Sequence, residues 1–144
     1  MNLPFQKIVA SEAETAKLAH DFIQHVLPGD IIVLNGNLGT GKTFFIKRAL
    51  EVSGINSVSS PTFAIVNEYT NGMKYYHFDF YRINKLQELL DIGFNDYIND
   101  NEAVTFIEWG ELFEEILPHR RIEINIKMKE DSSREFSIKE IRKE

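Results

Sequence analysis

The sequence contains no cysteine, which excludes disulfide bonds and thiolate metal sites as sources of stability or chemistry. It also lacks an apolar run of membrane-spanning length and a charged-then-apolar leader at its beginning. We therefore expect a cytoplasmic protein that makes no membrane contact. The 144 residues, of which 43% are hydrophobic, predict a single domain over residues 1–144 with a sizeable core.

Positive charge is scarce, since 16 Lys and Arg face 22 Asp and Glu and the net charge is -6. This balance argues against a protein whose whole surface grips nucleic acid. The charge is uneven, however: residues 1–118 hold 8 basic and 16 acidic residues, whereas residues 119–144 hold 8 and 6. Two interpretations of the final segment stay open. Its basic residues either occupy the solvent-facing positions of alternating strands or form an edge that touches a partner, a nucleotide or RNA.

What the sequence does contain is the glycine-rich stretch Gly36-Asn37-Leu38-Gly39-Thr40-Gly41-Lys42-Thr43, which fits the phosphate-binding pattern Gly-x-x-x-x-Gly-Lys-Ser/Thr. Glycine has no Cβ, so backbone N–H groups can turn inward and close on an anionic phosphate. The charge of Lys42 can reach the β- and γ-phosphates, and the Thr43 hydroxyl is a suitable ligand for Mg²⁺. We therefore predict that this loop binds a nucleotide.

The segments on either side of the loop agree with this prediction. Asp30–Asn35 is a continuous apolar run typical of a strand buried on both faces. Thr43–Val52 has apolar residues at helical spacing, so a helix dipole would point at the same phosphates. The order of strand, glycine loop and helix is the one that the motif requires.

The remaining elements are predicted from periodicity and turn residues. Ser11 and Glu14 have capping-box spacing at the start of a helix that reaches Leu27 and ends at Pro28. Asn71-Gly72 predicts a hairpin turn. A further helix is predicted at Lys85–Tyr97, with Leu86, Leu89 and Leu90 facing inward and a break near Gly93, and another at Glu111–Leu117. Further strands are predicted at Phe5–Val9, Phe63–Tyr69, Lys74–Tyr81, Ala103–Ile107, Arg121–Met128 and Glu135–Ile141.

Two acidic residues are candidates for chemistry. Asp79 lies within an apolar run, where a carboxylate is costly unless it is paired or near a metal. We favour a role in metal or water positioning over a structural ion pair with Arg82. Glu108 follows a buried strand, where an acidic residue beside a phosphate loop can hold Mg²⁺ or orient the attacking water. The hydroxyl-rich stretch at residues 59–62 either senses the γ-phosphate or is a plain turn set by its proline.

Several function classes fit these features. The sequence has no Asn-Lys-x-Asp element of the kind that reads guanine, because Asn84-Lys85 is followed by Leu86 and Gln87, so we predict ATP. A small-molecule kinase would also need an acceptor pocket and usually an arginine-rich lid, and no such insertion is visible. An ATPase with slow, partner-dependent turnover is the main hypothesis, and a nucleotide-dependent binding module with negligible hydrolysis is the third.

Four motifs together resemble the TsaE (YjeE) family of small bacterial P-loop ATPases, and the resemblance covers nearly the whole chain. They are the loop 36–43, Ser60-Pro61-Thr62-Phe63, His77-Phe78-Asp79-Phe80-Tyr81-Arg82 and Glu108-Trp109. The resemblance implies an α/β fold with three layers of the P-loop NTPase kind, a mixed, mostly parallel central sheet and a C-terminal β-hairpin. It also implies a role in threonylcarbamoyl modification of the adenosine beside the anticodon in tRNAs that read A-starting codons. The implied partner is the TsaB–TsaD heterodimer, with tRNA contacted indirectly through that complex.

The resemblance also implies roles for individual residues. Thr43 would hold Mg²⁺, and Glu108 would be a further metal ligand or would orient the attacking water. Whether Asp79 or Glu108 contacts the metal directly stays open. Lys42, Asp79 and Glu108 would serve hydrolysis, and Thr62 would belong to a mobile switch. Glu12 would line the adenine side and Arg134 would lie near the nucleotide. The residues implied to bind the phosphates are Asn37, Leu38, Gly39, Thr40, Gly41, Lys42 and Thr43.

Two positions carry open interpretations within the resemblance. Trp109 matches a family tryptophan beside the acidic residue, and an ordinary core or interface aromatic is an equal alternative. Phe44 stands where many family members have a second threonine, so Thr43 is the sole hydroxyl at the end of the loop. This departure indicates different local packing around the same nucleotide site.

Overall fold

The computed structural model describes residues 1–37, 39–59 and 64–142. The strands in these ranges are β1 (Phe5–Val9), β2 (Ile31–Asn35), β3 (Val66–Asn71), β4 (Met73–Asp79), β5 (Ala103–Glu108), β6 (Arg120–Met128) and β7 (Arg134–Arg142). The α-helices are α1 (Glu12–Ile23), α2 (Lys42–Glu51), α3 (Leu86–Asp91) and α4 (Phe94–Ile98), and 3₁₀ helices span Phe80–Arg82 and Gly110–Ile116. None of the helices in the described part of the chain has both the length and the apolar character that crossing a membrane requires.

All seven strands join one sheet in the order β1-β7-β6-β2-β5-β4-β3. Parallel pairing links β6 to β2, β2 to β5 and β5 to β4, and the other neighbours pair antiparallel. Strand β1 is antiparallel to β7, which is antiparallel to β6, so only β3 and β7 run against the common direction. The predicted mixed, mostly parallel sheet and the C-terminal hairpin of β6 and β7 are confirmed.

The sheet is covered on both faces, which confirms the three-layer prediction. Along the central strand β2, Ile32 and Leu34 pack in the core formed with α1 and α2, whereas Ile31 and Val33 pack in the core on the opposite face. That opposite core includes buried residues from α3 and α4. Strand β2 reads as an unbroken apolar run because helices cover both of its faces.

Helix α1 begins as the capping spacing predicts and ends earlier than predicted. The Ser11 hydroxyl accepts a hydrogen bond from the Glu14 N–H at 3.2 Å, and the Glu14 carboxylate accepts one from the Ala10 N–H. The helix stops at Ile23, and Leu27 is 66% exposed, so the prediction that the helix reaches Leu27 is wrong. A residue that precedes proline is disfavoured in helical conformation, which explains why Leu27 itself is not helical.

The other elements differ from the predictions mainly at their ends. The break predicted near Gly93 is confirmed: the segment Lys85–Tyr97 forms two short helices, and Gly93 between them has a left-handed φ of 78°. The helix predicted at Glu111–Leu117 is a 3₁₀ segment with a kink at Phe113. The hairpin at Asn71-Gly72 is confirmed, and Phe63, the predicted start of its first strand, lies outside the described residues.

The topology brings three strand ends together. Strands β2, β4 and β5 are parallel neighbours, so their carboxyl ends meet at one edge of the sheet. The glycine loop follows β2, Asp79 ends β4 and Glu108 ends β5. Ligands of open α/β sheets bind at this edge, which makes it the place to look for a site.

Candidate functional site

The glycine loop connects the end of β2 to the start of α2 and has no room for side chains at its first position. A Cβ on Gly36 would lie 2.7 Å from the Ile126 carbonyl oxygen and 2.8 Å from the Thr40 hydroxyl oxygen. Gly41 is the N-cap of α2 and has a left-handed φ of 103°. No described side chain caps this helix, and its first turn has no acidic residue. Its first N–H groups and the positive end of its dipole therefore face the loop, an arrangement that suits an anion.

The Lys42 ammonium group is buried inside the loop. The residue is 5% exposed, and Nζ donates hydrogen bonds to the carbonyl oxygens of Gly36 at 2.5 Å and Asn37 at 3.1 Å. Nζ also lies 3.9 Å from the centre of the Trp109 ring. The side chain is thus held in place by its own loop and by one aromatic ring.

Burial lowers the pKa of Lys42 from its ordinary value of 10.5, because an ammonium group is less stable away from water. The carboxylates of Glu108, Glu111 and Asp79 oppose this shift. The ammonium group therefore sits in a partly dehydrated, acid-rich environment, where an incoming phosphate would interact with it strongly.

Glu108 is a buried carboxylate, and the donors that contact it in the described part of the chain include Thr43 and His77. The Thr43 Oγ1 lies 2.8 Å from both carboxylate oxygens, and the His77 Nε2 lies 2.6 Å from Oε2. Glu108 is 3% exposed and His77 is fully buried. Thr43 is the first-turn hydroxyl of α2, so the carboxylate and the loop are linked directly.

Asp79 lies beside Glu108, because the two residues are paired across β4 and β5. Its carboxylate accepts a hydrogen bond from the Tyr81 N–H at 3.1 Å, and it lies 3.8 Å from the Nε of Arg82. Burial raises the pKa of Asp79, and the charge of Glu108 raises it further. The ion pair between Arg82 and Asp79 is therefore present. Because Arg82 is half exposed and the distance is long, the pair stabilises the negative charge of Asp79 only weakly.

These groups surround an open cavity of about 360 Å³. Its lining includes Lys42, Thr43, Asp79, Glu108 and Trp109. No group of three or more His, Asp or Glu within the described ranges is arranged to hold a metal ion by itself. One hydroxyl and one or two carboxylates are the incomplete oxygen set that Mg²⁺ uses when water and substrate phosphates supply its other ligands. The donor set therefore fits Mg²⁺ held jointly with a nucleotide.

Comparison with known proteins agrees with this geometry. The sequence model of the TsaE family, described as threonylcarbamoyl adenosine biosynthesis protein TsaE, matches residues 9–136. The tRNA threonylcarbamoyladenosine biosynthesis protein TsaE of Rickettsia typhi is 39% identical over 132 residues, which are 90% of each chain. The protein of the same name from Bacillus subtilis is 40% identical over 127 residues, covering 87% of this chain and 78% of that one.

The chain belongs to the TsaE family. Its fold is also that of a solved structure, YdiB of Bacillus subtilis, with a TM-score of 0.78 and 31% identity over 95% of this chain and 85% of that one. The TsaE family takes part in tRNA threonylcarbamoyladenosine biosynthesis. The P-loop fold and the family together indicate nucleotide binding.

The structure brings most of the residues predicted from this TsaE sequence to one place. Those at or beside the loop cavity are Asn37, Gly39, Thr40, Gly41, Lys42, Thr43, Asp79 and Glu108. Leu38 and Thr62 lie outside the described residues, as does most of the hydroxyl-rich stretch at residues 59–62. Phe44 lines the same cavity, and its ring lies 5.0 Å from the Arg48 guanidinium carbon.

Glu12 and Arg134 lie together in a neighbouring place. They line a separate cavity of about 180 Å³ between the start of α1 and the final hairpin. The Arg134 Nη2 approaches the Gly39 carbonyl oxygen at 3.4 Å, so this side chain reaches across to the glycine loop. Arg134 is therefore next to the glycine loop, and both predicted residues lie outside the cavity that contains Lys42.

Sequence reasoning missed two features of the site. It assigned no role to His77, although alternation along β4 places His77 and Asp79 on the same face. It also left open how Trp109 is used. Trp109 has a left-handed backbone (φ 62°, ψ 37°), and its backbone N–H donates a hydrogen bond to the Leu34 carbonyl oxygen at 3.1 Å. Its ring contacts both the Lys42 ammonium group and the Tyr81 ring. Such a conformation is unfavourable for a bulky residue and occurs most often at functional sites.

Proposed function

We propose that this chain is a Mg²⁺-dependent ATPase that binds the TsaB–TsaD heterodimer and supports threonylcarbamoyl modification of adenosine beside the anticodon in tRNAs reading A-starting codons. The observation that carries the proposal is that the buried Lys42 and Glu108 lie along one cavity at the start of α2, with the partly exposed Thr43 hydroxyl in contact with Glu108. The relatives named above support the pathway. The charged and polar groups that line the cavity support the proposal that it binds a nucleotide.

The loop supplies the phosphate contacts in this proposal. Backbone N–H groups of residues 37–43 and the ammonium group of Lys42 would bind the β- and γ-phosphates. Lys42 already donates to two loop carbonyls, so a phosphate would exchange those contacts for charged ones, which are stronger. Lys42 would also stabilise the charge that develops on the phosphoryl oxygens during transfer.

Thr43 and Glu108 are the residues that would hold Mg²⁺. When bound, the ion would polarise the terminal phosphate and offset its negative charge. Thr43 and Glu108 already contact each other, so both oxygens are brought to one point before a ligand arrives. Asp79 lies next to this point, and we propose that it orients the attacking water.

Adenine recognition would fall to the second cavity. Glu12 and Arg134 line it, and Arg134 also reaches the loop at Gly39. A guanidinium group in this position can contact a phosphate and stack on a base. We therefore propose that the nucleotide runs from the Lys42 cavity toward Glu12, with Arg134 closing over it.

The partner proposal concerns turnover. Phosphoryl transfer needs positive charge near the leaving oxygen, and the sequence shows no arginine-rich lid that would supply it. We propose that hydrolysis is slow in the isolated chain and is raised by TsaB–TsaD, through which tRNA is contacted indirectly. We also retain a cytoplasmic location as a proposal, because the pathway acts on tRNA.

Calorimetry with ATP and Mg²⁺ tests the nucleotide proposal. The Lys42→Ala variant should bind ATP at least about tenfold more weakly, because it loses a charged hydrogen-bond donor to phosphate. Lys47 lies exposed on the same helix, so Lys47→Ala is a matched control for charge and helix content. Equal affinity in Lys42→Ala and Lys47→Ala would contradict the proposal.

Phosphate release with and without TsaB–TsaD tests the partner proposal. Stimulated release of free phosphate supports the ATPase hypothesis. Labelled phosphate on a small acceptor would instead support the kinase class. Normal partner binding without hydrolysis under any condition would support the binding-module class.

A further inference from the structure

The fully buried side chain of His77 contacts Glu108, and the proposed ATPase mechanism assigns no role to this contact. His77 lies on β4 with 0% of its surface exposed, and its Nε2 is 2.6 Å from the Glu108 Oε2. Edge strand β3 covers it, with Asn67 directly opposite and the Tyr69 ring 6.4 Å away. No water can replace this hydrogen bond without opening the sheet edge.

The hydrogen-bond pattern of His77 determines which ring nitrogen carries a hydrogen. Within the described part of the chain, the buried Nδ1 has no hydrogen-bond partner. A neutral imidazole has one donor and one acceptor nitrogen, and a bare Nε2 facing a carboxylate oxygen would be repelled. Nε2 is therefore the donor, and Nδ1 carries no hydrogen, so no N–H group is left buried without an acceptor.

The two donors to Glu108 differ in how firmly they are fixed. The Thr43 hydroxyl can rotate about its Cβ–Oγ bond, and it is also the group proposed to meet Mg²⁺. The His77 imidazole is confined by the sheet and by strand β3. Of these two donors, His77 therefore restricts the orientation of the carboxylate more strongly.

We propose that His77 is a positioning residue that holds the Glu108 carboxylate facing Thr43, so that the oxygen ligands for the divalent cation are fixed before the nucleotide binds. This inference rests on the proposed Mg²⁺–nucleotide function and adds a residue to it. His77 does not line the cavity and acts only through Glu108. Hydrogen-bond partners of metal ligands commonly change metal affinity or activity by about 10–100-fold when they are removed.

The decisive measurement is the gain in nucleotide affinity that Mg²⁺ provides, obtained by calorimetry with a non-hydrolysable ATP analogue in Mg²⁺ and in EDTA. His77→Leu fills a similar volume but removes the hydrogen-bond donor. It should lower the gain in nucleotide affinity from Mg²⁺ by about tenfold. Affinity in EDTA should stay within about twofold, because the phosphate contacts of Lys42 are untouched. A merely structural histidine would change both affinities together.

Gln provides the rescue variant, because its amide nitrogen occupies the place of the imidazole Nε2. His77→Gln should keep most of the Mg²⁺ gain, and His77→Asn, whose amide nitrogen stops near the position of Nδ1, should lose it. If His77→Leu does not fold, the comparison of His77→Gln with His77→Asn still tests whether a donor at the position of Nε2 is required. Equal losses in the Gln and Asn variants would overturn the inference.

A double-mutant cycle separates action through Glu108 from a direct effect. In a Glu108→Ala background, His77→Leu should cause no further loss of Mg²⁺ gain, whereas an undiminished effect there would overturn the inference. Nitrogen-15 NMR of the His77 ring should show hydrogen on Nε2, and a bare Nε2 would also overturn it. If the wild-type chain shows no Mg²⁺ gain, the proposed function and this inference fail together; a normal gain that His77 variants do not alter removes this inference alone.

Discussion

The ammonium group of Lys42 lies 3.9 Å from the centre of the Trp109 ring, over the aromatic face. A cation in this position is attracted by the negative face of the ring, and the attraction grows when both groups are shielded from water. Lys42 comes from the glycine loop and Trp109 from the end of β5. The contact therefore links the glycine loop to the residue that follows Glu108.

We predict that the emission of Trp109 reports nucleotide binding. Trp109 is the sole tryptophan of the chain, so its fluorescence can be measured without substitution. A phosphate that draws the Lys42 ammonium group toward itself changes the charge above the indole ring, and the emission should change with it. The measurement is a fluorescence titration with ATP and Mg²⁺.

Lys42→Met provides the comparison for this titration. It should alter the starting emission of Trp109 and remove the response at the same nucleotide concentrations. Lys47→Met, on the exposed side of α2, should behave as the wild type. Unchanged emission at concentrations where calorimetry shows saturation would contradict the prediction.

We predict that Gly110→Ala destabilises the fold by about 1–3 kcal/mol, because it overpacks the core. A Cβ on Gly110 would lie 2.3 Å from the Cγ1 of Val33, which is fully buried on β2. Urea unfolding measures the loss of stability. In a Val33→Ala background the same substitution should cost less, because the clashing methyl group is gone, and equal costs in both backgrounds would refute this cause.

The sequence predicted the fold well where a single physical signal dominates. The apolar run of β2 and the helical spacing of α2 gave elements within one or two residues of their observed bounds. Predictions of burial failed where an apolar residue was assigned to the core from helical spacing alone. Leu89 and Leu90 were both expected to face inward; Leu89 is buried, but Leu90 is 45% exposed, because the short helix α3 packs only one side on the core.

Some residues of the candidate site could likewise be predicted from the sequence, and others could not. The loop motif and the strand ends identify Lys42, Thr43, Asp79 and Glu108, because parallel strands bring their carboxyl ends together. The contact of His77 with Glu108 depends on the register between β4 and β5, which no local sequence pattern encodes. The packing of Trp109 on Lys42 depends on a left-handed backbone that sequence alone does not predict for tryptophan.

We predict an acid-sensitive contribution to stability from Asp100, which is remote from the cavity. Asp100 accepts hydrogen bonds from Lys74 and Tyr76, and these lower its pKa from 3.8 to about 2. Because the pKa is lower in the folded state, this contribution is fully present above about pH 4 and is lost as the pH falls toward 2. Asp100→Asn should therefore lower the free energy of unfolding at neutral pH, and its deficit should shrink below pH 4.

Urea unfolding at several pH values measures this dependence. Tyr76→Phe removes one donor and keeps the Lys74 ion pair, so its pH dependence should resemble that of the wild type with a smaller amplitude. A deficit for Asp100→Asn that stays constant from pH 7 to pH 3 would exclude the proposed linkage.

Asp79 allows a direct choice between a role in hydrolysis and a structural ion pair. The proposed role predicts that Asp79→Asn lowers the rate of phosphate release at least about tenfold, since the carboxylate would no longer orient the attacking water. Nucleotide affinity should stay within about threefold, because Asp79 is not proposed to contact the phosphates. The Asn side chain can still accept from the Tyr81 N–H, so the local backbone is preserved.

Arg82→Gln is the matched control for Asp79→Asn, because it breaks the same ion pair from the exposed side. Arg82 Nε lies 3.8 Å from the Asp79 carboxylate and its side chain is 47% exposed, so this pair should contribute little to stability. If the ion pair were the purpose of Asp79, the two variants would lose phosphate release to the same extent. We expect Arg82→Gln to lose far less than Asp79→Asn, since only Asp79 presents a buried carboxylate beside Glu108 at the end of the sheet.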